Sequence, residues 1–179
     1  MTTVTGDFEL SIDKLRIVAR YVSEIAREFL PTFEEAVPGD SRPRVAIDAA
    51  WEFVSGARRT KLQRVASLAA HRAAKDAPTE VSRLAAQAAG DAASAAYLHP
   101  IAKAHQVGHI LRAPANAARV AEIYAGDEPR AADEMLSVAR DRATPVLIEV
   151  LCRYPTAPRG KSRPSELMFV LDAAMRASR

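Results

Sequence analysis

Eleven prolines cut this 179-residue chain into pieces of helical length: Pro31, Pro38, Pro43, Pro78, Pro100, Pro114, Pro129, Pro145, Pro155, Pro158 and Pro164. Proline lacks an N–H and its ring clashes with the preceding turn, so it sits in a helix's first turn or just past its end. The pieces between the prolines are made of helix formers. About a fifth of the residues are Ala, Gly is held to seven, and aromatics make up only 6%. Ala loses no side-chain entropy in a helix, and strand-like alternation of β-branched and aromatic residues is nearly absent. An all-α fold follows: a single compact bundle of about eight or nine short helices.

The first helix is the best defined. Leu15, Val18, Ala19, Val22, Ile25, Ala26 and Phe29 recur at three and four, with Ser11 as N-cap and Leu10 placed to staple onto Leu15. A second helix is expected from Pro43 to Ser55, closed by Gly56, and a third from Thr60 to Ala77. A fourth has Thr79 as N-cap and runs to Leu98; a fifth starts at Pro100 and ends near Arg112. A sixth spans Pro114 to Ala125 with Gly126 after it. Pro129 opens a seventh, which Thr144-Pro145 either kinks or follows with an eighth ending at Tyr154. Glu166 to Arg176 closes the chain. Residues 1–179 read as one helical domain, with a flexible N-terminus over 1–8 and a Pro/Arg-rich loop over 155–164.

Twenty-five Lys and Arg against 22 Asp and Glu give a net charge of +3, a mild excess that many proteins carry on solvated helix ends. The lone Cys152 excludes an internal disulfide and suits a reducing cytoplasm. The N-terminal residues lack the pattern of a signal peptide, and no apolar run is long enough to span a membrane.

Chemistry concentrates in one stretch. His99, His105 and His109 are three of the four histidines, and they fall within eleven residues. On a helix turning about 100° per residue, His105 and His109 share a face, with Arg112 close by. The apolar stripe of Ala104, Val107, Ile110 and Leu111 lies to one side, and Gly108 leaves room for a neighbouring helix. These histidines can line a polar ligand pocket with Asp91, act in acid–base chemistry, or hold zinc; equally, they can serve as structural caps. A zinc metalloprotease is excluded, because Gln106 stands where that motif needs Glu.

Other motifs are weaker. Gly160-Lys161-Ser162 ends like a phosphate-binding loop, but Pro155 occupies the position of its first Gly. Arg58, Arg59, Lys61 and Arg64 form one basic cluster, and Arg159, Lys161 and Arg163 another. Neither interleaves aromatic residues for base stacking, so nucleic-acid binding through Arg58, Arg59 and Lys61 is the weakest reading. Trp51 reads as an inter-helix anchor, Cys152 as a buried small residue, and Asn116 and Glu122 as side chains facing the fifth helix.

Several segments together resemble the Imm-5-like family of bacterial putative immunity proteins, which are mainly actinobacterial. They are Asp40-Ser-Arg-Pro-Arg-Val-Ala-Ile-Asp-Ala-Ala-Trp, Ala69-Ala-His-Arg-Ala-Ala, Tyr97-Leu-His-Pro, His109-Ile-Leu, Glu166-Leu-Met and Leu171-Asp-Ala-Ala. The similarity extends from about Phe8 to Ala174. It implies a small cytoplasmic helical protein that binds and neutralises a toxin. Many members carry His where this chain has Asp91.

The leading expectation is a non-catalytic, immunity-like protein that recognises a protein toxin or a small molecule. Its binding groove would hold Tyr97, His99, His105, His109, Arg112, Asp91 and Asn116. The alternative is a small biosynthetic enzyme using His105, His109 and His99 for acid–base catalysis. No cofactor is expected, save zinc if those three histidines converge; self-association is left open.

Overall fold

A computed structural model describes residues 2–179. Among them are nine α-helices and one two-stranded hairpin. The hairpin pairs β1 (Thr3–Thr5) with β2 (Glu9–Ser11) antiparallel, in register Thr3 to Ser11. Helix α1 (Ile12–Phe29) follows directly. Ser11 accepts from the Lys14 N–H at 3.2 Å, and the stripe from Leu15 to Ala26 is buried. The remaining helices are α2 (Pro31–Ala36), α3 (Arg42–Val54), α4 (Lys61–Asp76), α5 (Glu80–Ser94), α6 (Gly108–Tyr124), α7 (Pro129–Asp141), α8 (Pro145–Leu151) and α9 (Arg163–Ala177).

The capping residues explain where α4 and α5 begin. Thr60 accepts from the Leu62 N–H, while Gln63 reaches back to the Thr60 N–H at 2.9 Å. Thr79 and Ser82 cap α5 in the same reciprocal way. Two orphan donors are satisfied at each start.

Helix α5 occupies the centre, packed by α1, α2, α3, α4 and α6. From Leu84 to Ala93 every residue except Gln87 is buried. Its side chains there are mostly Ala, so neighbouring axes approach closely on every side. A charge placed in this segment must find its partner inside the protein, and Asp91 is such a charge.

Several expected boundaries are corrected. Pro100 does not open a helix: residues 98–103 are irregular, Ala104–Val107 is a 3₁₀ turn, and α6 starts at Gly108. The cause is tertiary. The Pro100 carbonyl accepts from the Asp7 N–H at 2.8 Å, and the Asp7 carboxylate accepts from the Ala102 N–H at 2.7 Å. Thr3–Thr5, within the stretch expected to be flexible, forms the outer strand of this brace.

Pro114 does not end the helix either; it lies inside α6. An interior proline costs about 3 kcal/mol. Burial of Ile110, Leu111 and the residues from Ala113 to Ala118 against neighbouring helices offsets it. The expected fourth helix is α-helical only to Ser94 and continues as a 3₁₀ turn, Ala95–Tyr97. Helix α2 goes unforeseen; it seats Phe33 among Ala73, Ala74, Ala85 and Ala86. Residues 155–162 carry no helix, and the Ala157 N–H ties them to Asp172 on α9. No helix among the described residues is long and apolar enough to cross a membrane.

Candidate polar cluster on helices α4, α5 and α6

Asp91 is the cluster's centre, with no exposure to solvent. Arg112, on α6, grips it with two donors: Nε to Oδ2 at 2.8 Å and Nη2 to Oδ1. This fork-on-fork pairing is the strongest ion-pair geometry available to a carboxylate. Arg112 Nη1 makes no hydrogen bond within the described residues, and the side chain is partly exposed.

His71, the fourth histidine, comes from α4. Its Nε2 lies 3.6 Å from Asp91 Oδ1, a charge contact too long for a hydrogen bond. Gly90 permits this approach, because a Cβ there would stand 2.8 Å from His71 Nε2. Burial is the main influence on His71 and pushes its pKa below the usual histidine value, outweighing the pull of Asp91.

His109 lies in the first turn of α6, its Nδ1 3.0 Å from Ser94 Oγ. The Ser94 hydroxyl has one proton and donates it to the Asp91 carbonyl at 3.0 Å. We therefore assign the proton of the second contact to His109 Nδ1, which donates to Ser94 and leaves Nε2 as an open acceptor. Burial also drives the His109 pKa down, so both imidazoles are neutral at pH 7.

The remaining sequence candidates go elsewhere. His105 is not on a helix face with His109; it is exposed, in the 3₁₀ turn, 2.8 Å from Gln106 Nε2. Gln106 is buried and its Oε1 accepts from the His99 N–H at 3.0 Å. The Gln106 amide thus donates to His105 Nε2 and clamps the irregular connector. His99 is exposed, and its carbonyl accepts from the Tyr154 hydroxyl at 2.9 Å. Tyr97 points to the start of α4, its hydroxyl donating to the Thr60 carbonyl at 2.6 Å. Asn116 is buried one turn beyond Arg112 and donates to Gln87 and to the Leu84 carbonyl, leaving Oδ1 without a partner. Glu122 is buried and held by Arg119 and Arg163 rather than by the histidines. Among the described residues no three His, Cys, Asp or Glu are placed to hold a metal ion.

Chemically, the cluster can recognise but is poorly arranged to transform. Ser94 gives its proton to a backbone carbonyl, not to a base, and Asp91 is committed to Arg112 rather than orienting a histidine. Left without a hydrogen-bond partner among the described residues are Arg112 Nη1, His71 and His109 Nε2.

His71, Ser94 and Gly90 escape a reading of the sequence alone. His71 sits in a helix with no other unusual residue, and Gly90 looks like a helix-weakening defect. Only the packing of α4 on α5 joins them.

The sequence model of the Imm-5 like putative immunity protein family matches residues 9–143. That span runs from β2 through α7 and contains the whole cluster. No curated protein and no solved structure matches the chain.

Proposed function

The chain belongs to the Imm-5 like putative immunity protein family, and we propose that it is a non-catalytic binding protein that captures and neutralises a protein toxin. The observation that carries this is the Asp91–Arg112 lock on the central helix. It spends the one buried carboxylate of the cluster on rigidity and leaves His71, His109 and Arg112 Nη1 fixed in position. Recognition gains from such preorganisation, because little side-chain freedom is lost when a partner binds. The alternative of acid–base catalysis loses support from the same geometry, since Ser94 donates to a backbone carbonyl and His105 is engaged by the Gln106 amide. Free, half-buried Cys152 suits a reducing compartment, and we place the encounter in the cytoplasm.

The test is to coexpress the chain with the product of each gene that flanks its own. The expected result is one product that arrests growth, relief of the arrest by this chain, and a stable complex of the two on size exclusion. Replacing His71 and His109 together by Gln is expected to abolish relief while the helical content stays unchanged. If no flanking product both arrests growth and binds the chain, the toxin-neutralising role is overturned.

A further inference from the structure

Helix α4 carries an unusual outer face. The helix and the segment before it hold six cations, Arg58 and Arg59 in the segment and Lys61, Arg64, Arg72 and Lys75 on the helix, against one carboxylate, Asp76 at its last position, which pairs with Arg42. None of the six makes an ion pair within the described residues, whereas Arg42, Arg44, Arg112, Arg119, Arg163 and Arg176 are all matched to carboxylates. The same face exposes large apolar side chains: Leu62 is 39% exposed, Val65 51% and Leu68 54%. The opposite side of the helix, with Ala66, Ala70 and Ala73, is buried in the core. His71 leaves this helix toward Asp91, so the face is continuous with the polar cluster.

Resting on the proposed role as a protein binder, we propose that the α4 outer face docks an acidic protein partner, whose carboxylates meet the cations while an apolar stripe covers Val65 and Leu68. Charge complementarity selects the sign. Six unmatched cations raise the local potential, steer an acidic surface in, and repel a basic one. The apolar side chains select the class. Apolar contacts at the centre with charge around them are the anatomy of a protein–protein interface. A nucleic-acid backbone would dehydrate Leu62, Val65 and Leu68 without return. The nearby aromatic, Tyr97, already stacks with Arg59 and Arg64, each 4.8 Å from its ring centroid, and would have to give up a cation to stack on a base. A membrane surface would call for a broad apolar face with aromatics, and the apolar side of α4 is already turned into the core.

The probe is a phage-displayed library of random 16-residue peptides selected on the full chain. The enriched peptide is then titrated against the wild type, against Arg64→Glu/Lys75→Glu and against Leu68→Asp. All three positions are exposed, and an unchanged melting curve shows that each variant folds. The expected result is enrichment of net-acidic peptides with apolar residues three or four apart, and binding that weakens as salt rises. Both variants should bind at least about tenfold more weakly. Neutral or basic winners, or undiminished binding by the folded variants, would overturn the proposal. So would a 20-base-pair DNA duplex or phosphatidylserine vesicles binding more tightly than the peptide. These outcomes are read on α4 alone, so they can fail while toxin neutralisation stands, and the reverse.

Discussion

Arg112→Met is the sharpest test of how the central helix tolerates a charge. It keeps most of the side chain's length and apolar contact but removes both donors to Asp91, which is wholly buried. The remaining neighbour is His71 at 3.6 Å, outside hydrogen-bond range, and with Arg112 gone only burial and Lys75 oppose the upward pull of Asp91 on its pKa. Breaking a buried pair from one side costs about 3–5 kcal/mol. The Arg112 side chain is 36% exposed, so water can enter where it stood, and the expected loss falls to about 2–3 kcal/mol. The double variant Asp91→Leu/Arg112→Met removes the stranded charge and should recover most of that loss, ending within about 1 kcal/mol of the wild type. The assay is urea unfolding followed by circular dichroism, with slopes compared to confirm the same cooperative transition. A single variant within about 0.5 kcal/mol of the wild type would refute the buried-pair energetics. So would a double variant no more stable than the single one.

Other outcomes follow from the same cluster. Because burial lowers the pKa of His71 and His109, the unfolded chain binds more protons than the folded one just below the ordinary histidine range. Stability should therefore rise with pH through that window and fall on going from about pH 7.5 to about pH 5.5; His71→Gln/His109→Gln should flatten the profile. A pH-independent stability over that range would contradict it. The carboxylates of Glu34, Asp40 and Glu122 have pKa values lowered by their arginine partners, so a separate loss is expected below about pH 4.5. Gly90→Ala should destabilise the wild type by about 1–2 kcal/mol, because the new Cβ displaces the His71 ring. In a His71→Ala background the same change should stabilise by about 0.5–1 kcal/mol through helix propensity; two effects of one sign would disprove the steric account. Tyr97→Phe removes the hydroxyl bond to the Thr60 carbonyl and should lower the melting free energy by about 1 kcal/mol, measured by the same urea titration.

Local signals in the chain were informative where structure is local. Ser11, Thr60 and Thr79 each cap the helix that the residues after them predict, since a cap and its N–H lie within three positions. The amphipathic stripe of α1 is likewise written in its own spacing. The connector over 98–107 is different. Its path is decided by Asp7 and Phe8, and the Asp7 carboxylate bonds an N–H 95 residues away. No periodicity within the segment carries that information, and a helix drawn from Pro100 puts His105 in the same α-helix as His109, whereas it lies in the 3₁₀ turn before α6. Of the expected groove, Asp91, Arg112 and His109 do meet. Asp91 and Arg112 are 21 positions apart, and only the antiparallel register of α5 and α6 aligns them.

The central helix has a consequence for how this molecule can change. Ala85, Ala86, Ala88, Ala89, Ala92 and Ala93 are all fully buried, and five other helices press on them. A core of leucines can lose a methylene or trade one branch for another. A core of alanines can shrink only to glycine, which weakens the helix, or grow into side chains that have no space to enter. Variation is thereby pushed outward, onto positions such as Val65, Leu68 and Arg72 that no helix covers. The result is an inner frame closed to revision beneath an outer skin open to it. Substitutions on that skin leave the packing around α5 untouched.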